Sequence, residues 1–194
     1  MTSTELGGAD IVLTADTEHL VPTIVMAFAA DPFVRWMLPS PEQYLEHFTR
    51  ITRLHGARTG ATGGAWARTD GRSVAFWYPP GVHPDAAALG AEFTAAGVAD
   101  RVAAVWDAAA QYELDEPHWY LRQIGVDPVL QRGGHGSALL RAGLAEIDRR
   151  GEPAYLEATT PGSRDLYARF GFEARAEIRV GDSAPLWPMA RPAR

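Results

Sequence analysis

The chain contains no cysteine, which excludes disulfide frameworks, thiolate nucleophiles, cysteine-based zinc sites and thiol redox chemistry. That is compatible with the cytoplasm, the location expected here. It also lacks a long apolar run: the longest uncharged one, Leu20 to Ala30, is broken by Pro22 and Thr23 and is too short to span a bilayer. The first twenty residues carry neither Lys nor Arg and no sustained apolar stretch, so they read as neither secretory signal nor transit peptide. No basic block occurs anywhere, and the formal charge of −6 gives no electrostatic footprint for DNA or RNA. A soluble protein with a cationic or neutral substrate is expected, without nucleic-acid or membrane partners.

What is present fits one domain. At 194 residues the chain can bury a continuous core without metals or disulfides, and residues 10 to 194 are read as one unit behind a flexible terminus, residues 1 to 9. Residues 10 to 14 predict a short strand, followed by a helix carrying Leu20, Ile24 and Phe28, with Pro22 in its first turn. After the break at Pro39 and Pro41, Tyr44, Phe48, Ile51 and Leu54 mark a second helix, N-capped by Ser40 and ending near Gly56. Strands at 64–68 and 73–78 flank Asp70-Gly71, a hairpin signal. Residues 84 to 114 are alanine-rich and predict two helices split by Gly97.

From His118 onward the pattern is strand (118–126), helix (134–149), strand (154–158), helix (164–170), strand (172–180), with a closing strand at about 185–191. Crossover helices require locally parallel strands, while the hairpin and closing strands pair antiparallel, so the sheet is mixed.

Chemistry concentrates in Val126-Asp127-Pro128-Val129-Leu130-Gln131-Arg132-Gly133-Gly134-His135-Gly136-Ser137, between a strand and an amphipathic helix. Glycines let successive backbone N–H groups converge on an anion where a helix presents its positive end, a cradle suited to a pyrophosphate. A Walker loop would need a lysine before the Ser/Thr, and a dinucleotide fingerprint a third glycine; both are missing. A tight turn without ligand is the alternative for the glycines alone.

Q-x-x-G-x-G ahead of a helix, preceded by Val-x-Pro and followed some thirty residues later by Leu166-Tyr167-Ala168-Arg169-Phe170-Gly171-Phe172, resembles the GNAT N-acetyltransferase superfamily. Within it the chain looks closest to puromycin N-acetyltransferase-like proteins, through Val74-Ala75-Phe76-Trp77, Glu116-Pro117, Gly125-Val126, Gly136-Ser137-Ala138, Pro153-Ala154-Tyr155-Leu156-Glu157 and the tyrosine motif. The resemblance implies an α/β (α+β) fold with a mixed, mostly antiparallel central sheet and flanking helices. It implies acetyl-CoA as co-substrate, no metal, and a monomer or homodimer. By the same likeness, the main chain of Ile124, Gly125 and Val126 grips the pantetheine arm, Gln131, Arg132, Gly133, Gly134, His135, Gly136 and Ser137 hold the pyrophosphate, and Ser163 stands where relatives often carry an asparagine near the thiol. Where Arg132 stands, relatives often have glycine.

The implied reaction is acetyl transfer from acetyl-CoA directly to a primary amine of a small molecule. Acetylation of a protein or peptide, or acyl-CoA binding by a non-catalytic regulator, are the alternatives. An alkylamine is only about one part in a thousand unprotonated at neutral pH, a deficit of roughly 4 kcal/mol, so a base must accept its proton. Glu157 is the candidate base, with His118, Glu113 and Asp115 competing, and Tyr167 is the candidate acid that protonates the departing thiolate. Phe33, Trp36, Tyr44, Trp77 and Tyr78 are candidates to line the acceptor pocket.

Overall fold

The computed structural model describes residues 10–194; the terminus expected to be flexible, residues 1–9, lies outside them. Among the described residues seven strands form one sheet, in the order β1-β2-β3-β4-β5-β7-β6. The first half supplies β1 (Ile11–Leu13), α1 (Val21–Ala27), α2 (Pro32–Met37), α3 (Thr49–Ala61), β2 (Ala65–Arg68), β3 (Ser73–Tyr78), α4 (Ala86–Ala95) and α5 (Ala99–Ala110). The second half supplies β4 (Trp119–Val126), α6 (His135–Arg150), β5 (Ala154–Ala158), α7 (Pro161–Ala168), β6 (Glu173–Ala174) and β7 (Trp187–Arg191). Only β4 and β5 pair in parallel, joined through α6; the other neighbours are antiparallel. The mixed, mostly antiparallel sheet follows the sequence expectation.

Two helical layers clamp the sheet. Leu20, Val21 and Ile24 at the start of α1, with Phe48 and Ile51 at the start of α3, bury against Ala67, Val74 and Phe76 on one face. On the other, Leu140, Leu144 and Ile147 of α6 recur at helical spacing and pack with Trp77, Leu121, Leu156 and Tyr167.

Three elements differ from the sequence expectation. α2 falls ahead of the break at Pro39 and Pro41, in a stretch for which no separate helix is expected: Asp31 nucleates it, its Oδ1 accepting from the N–H groups of Phe33 and Val34 at 3.0 Å each. The next helix is capped by Ser40 as expected, its hydroxyl accepting from the Gln43 N–H at 3.0 Å, then passes through a π turn at Tyr44–Phe48 and runs beyond Gly56 to Ala61. Gly56 is there for contact, since a Cβ at that position would lie 3.1 Å from the Phe76 ring. The strand expected over 172–180 shrinks to Glu173–Ala174 plus a single bridge between Ile178 and Leu186.

Candidate active site

β4 makes the site by breaking its own regularity. It pairs with β5 only over Trp119–Leu121 and Ala154–Leu156, so beyond those residues the two strands part. Against β3, Phe76 faces Gln123 and Trp77 faces Leu121, leaving Arg122 as an extra, bulged residue. The bulge reverses which residues face which layer. Leu121 packs on the α6 side, whereas Gln123 donates to the Thr52 hydroxyl of α3 at 3.3 Å, and Gly125 faces α1. A Cβ at Gly125 would sit 2.9 Å from the Ala27 Cβ and 3.0 Å from Ile24 Cδ1. Glycine thus lets α1 close over β4 at the parting of the strands.

β4 ends in a 3-10 turn at Pro128–Leu130, capped by Asp127, which accepts from the Val129 N–H at 3.1 Å. The Gln131 side chain donates back to the Val126 carbonyl at 3.2 Å and ties the loop to the strand. Arg132 (φ +65°) and Gly134 (φ +84°) then take left-handed backbone and turn the chain into α6. No side chain among the described residues caps α6, so its first-turn N–H groups have no carbonyl within the helix to bond, and Gly134, His135, Gly136 and Ser137 at this helix start line the cavity described below. The left-handed backbone at position 132 is one that glycine adopts more readily than arginine. His135 is buried, and its Nδ1 accepts from Arg68 at 3.1 Å.

At the parting of the strands, Glu157 Oε2 accepts a hydrogen bond from the Tyr120 hydroxyl at 2.6 Å. That hydroxyl accepts from Arg122 Nη1 at 3.0 Å, and Arg122 Nε donates to His55 Nε2 at 3.3 Å. A neutral imidazole accepting at Nε2 carries its proton on Nδ1, which lies 2.7 Å from the Tyr78 hydroxyl. Burial, then the Arg122 charge, holds His55 well below the usual imidazole range, consistent with that neutral form. Burial pushes the Glu157 carboxyl above the usual carboxylate range, while the Arg122 charge and then the Tyr120 hydrogen bond pull it back down. Glu157 is therefore a carboxylate made more basic by desolvation yet kept ionisable by one cation.

Tyr167 is buried on α7, and its hydroxyl has no hydrogen-bond partner among the described residues. Burial, then the Asp31 charge, raises its pKa, so it is a phenol that keeps its proton. Asp31 Oδ2 accepts from the Thr159 hydroxyl at 2.5 Å and links the α2 cap to the end of β5. Ser163 is committed locally: it forms a capping box with Thr160 and donates to the Thr160 carbonyl at 2.9 Å.

One cavity of about 770 Å³ brings these groups together. Every residue expected at the site lines it except Gly133: Ile124, Gly125, Val126, Gln131, Arg132, Gly134, His135, Gly136, Ser137, Glu157, Ser163 and Tyr167. The competing bases do not line it; His118 instead contacts Glu113 at 3.4 Å and the Glu116 carbonyl at 2.8 Å. Of the aromatic residues expected in the acceptor pocket only Phe33 lines the cavity. Trp77 lies on the α6 face, Tyr78 is held by His55, and Trp36 and Tyr44 pack outside the lining. Their places are taken by Phe28, Phe48, Phe93 and Trp106. Arg122 and Asp31 went unseen; the alternation of Tyr120 and Arg122 along one strand was the signal available for the first.

Residues 53–172 match the acetyltransferase (GNAT) family model. That is more than half of the chain, and the protein belongs to this family. It is an acetyltransferase, and members of the family typically use acetyl-CoA. The chain is similar to a Corynebacterium glutamicum structure described as histone acetyltransferase HPA2 and related acetyltransferase, at 27% identity and a TM-score of 0.68 over 95% of this chain and 96% of that one. It shares its fold with the Drosophila melanogaster polyamine N acetyltransferase, which catalyses formation of N-acetylagmatine (14% identity, TM-score 0.60, 94% of this chain and 100% of that one). It likewise shares its fold with arylalkylamine N-acetyltransferase 2 from Aedes aegypti (12%, 0.61, 95% and 98%). No helix among the described residues is long and apolar enough to cross a membrane.

Proposed function

We propose that this acetyltransferase moves the acetyl group of acetyl-CoA directly onto the primary amine of a small molecule. The observation that carries the reading is one cavity lined together by the start of α6 and Tyr167, neither of which has a side-chain hydrogen-bond partner among the described residues, with the freed stretch of β4 and Glu157. The first-turn N–H groups of α6, with Gln131, Arg132 and Ser137, would hold the pyrophosphate, and the main chain of Ile124–Val126 the pantetheine arm. Bound there, acetyl-CoA supplies an activated acyl group as its thioester.

Glu157 accepts the amine proton, directly or through water, and the neutral amine attacks the thioester carbonyl. Backbone N–H groups of β4 stabilise the negative charge that develops on the carbonyl oxygen. Tyr167 donates its proton to the departing thiolate. With no cysteine in the chain, no thiol-linked acyl-enzyme stands between the two substrates.

Small-amine neighbours support the reading at the level of fold, and the likeness to puromycin enzymes rests on sequence motifs alone. The walls supplied by α2, α3 and α5 favour a compact acceptor over a polypeptide, which needs an open groove. We place the protein in the cytoplasm, without nucleic-acid or membrane partners. An amine library incubated with acetyl-CoA and read by thiol release tests the proposal without background, because the enzyme has no thiol of its own. Turnover confined to peptides would overturn it.

A further inference from the structure

A second cavity, about 520 Å³, lies between α4 and α5 and opens to solvent. Its walls are apolar: Leu89 and Phe93 from α4 face Val102 and Trp106 from α5. Its floor is His55, Tyr120 and Arg122, the residues of the polar chain that ends on Glu157. It shares Phe93, Trp106 and Arg122 with the main cavity, so those three side chains form a thin partition between the two spaces. The Arg122 guanidinium sits over the Trp106 ring, 4.6 Å from its centroid.

From this adjacency we infer that the α4–α5 groove receives the non-reacting part of the acceptor, an uncharged aryl or alkyl tail, while the amine reaches past Phe93, Trp106 and Arg122 to Glu157. This rests on the small-amine reading above and narrows it to amines with an extended apolar tail. Charge sets the class. Among the described residues no carboxylate lines the groove, and the fixed charge at its floor is the cation of Arg122. A second ammonium at the far end of a diamine would meet like charge and apolar walls with nothing to pair it. A hydrocarbon tail leaves water for those walls, and each methylene buried favours binding by about fourfold.

The test compares propylamine, hexylamine, octylamine and 1,6-diaminohexane as acceptors for the whole enzyme and for two groove-filling variants, Gly90→Leu and Ala103→Phe. Both positions are exposed on their helices and touch neither Glu157 nor the glycine loop; a Cβ at Gly90 meets nothing within 4 Å. In the parent enzyme kcat/KM is expected to climb about fourfold per methylene before levelling, with 1,6-diaminohexane far below hexylamine. Both variants should flatten that climb and leave propylamine turnover and the acetyl-CoA KM unchanged. Calorimetric titration with octylamine reads the groove without turnover. If octylamine binds the parent and not the variants while no amine is acetylated, the groove stands and the transfer reading falls. Turnover whose chain-length dependence is flat in the parent, or survives in both variants, overturns the groove assignment, as does the absence of both binding and turnover.

Discussion

The Tyr120 hydroxyl stands 2.6 Å from Glu157 Oε2 and 3.0 Å from Arg122 Nη1, donating to the first and accepting from the second. One phenol therefore couples the candidate base to the Arg122 cation, from which the chain of contacts runs back to His55 and Tyr78. The base is built on two strands that have just parted, and its basicity is set by two opposed effects, burial and Arg122.

Replacing Glu157 by Gln removes the proton acceptor and is expected to lower kcat/KM by about 10²–10⁴-fold. The isosteric amide preserves the fold, so the thermal midpoint should stay close to that of the parent. The pH profile of kcat/KM measures both the loss and the disappearance of the acidic limb.

Arg122→Met acts on the same limb with a definite sign. Activity requires ionised Glu157, so rate rises with pH through its pKa. Burial raises that pKa and Arg122 lowers it; removing the cation lets burial dominate, and the limb moves to higher pH. A limb that stays in place or moves to lower pH contradicts the assigned base.

Tyr167→Phe deletes a hydroxyl with no partner among the described residues, so stability changes by less than about 1 kcal/mol. A loss in kcat of about 10²-fold or more, with acetyl-CoA affinity unchanged, is expected if the phenol protonates the thiolate. Steady-state kinetics beside calorimetry separates the two quantities.

Arg132→Gly and Arg132→Ala distinguish backbone from charge. Both remove the cation beside the proposed anion site and should weaken acetyl-CoA binding alike. Only glycine relieves the left-handed backbone at φ +65°, by at most about 1–2 kcal/mol and less after its greater unfolded freedom is counted. Chemical denaturation should find the glycine variant at least as stable as the alanine one.

Much of the fold was legible because local signals were strong. Asp70-Gly71 between alternating strands, and Leu140, Leu144 and Ile147 at helical spacing, each permit one reading, and the chain from His118 onward repeats strand and helix. What escaped depended on tertiary contact. α2 is six residues long and hides between prolines, started by an aspartate whose cap shows only once the chain is folded. Gly56 reads as a stop, yet it sits inside a helix pressed against Phe76. The candidate binding loop was visible because glycines and a helix start are local features. The acceptor side was not: Phe28, Phe48, Phe93 and Trp106 converge from four separate segments, and the bulge at Arg122, which turns Gln123 away from the layer that Leu121 faces, leaves no mark in the sequence.

Catalysis as proposed depends on the start of α6 binding the pyrophosphate of acetyl-CoA, and calorimetry on Gly136→Asp measures that dependence. A Cβ at Gly136 meets only ordinary contacts, 3.7 Å from Leu166 and 3.9 Å from Val126, and a carboxylate in the first turn of a helix favours the fold. The same carboxylate would repel a bound anion. One acetyl-CoA site per parent chain is expected, and in the variant unchanged or higher stability with binding lost. Undiminished binding by the folded variant, or none by the parent, would contradict it.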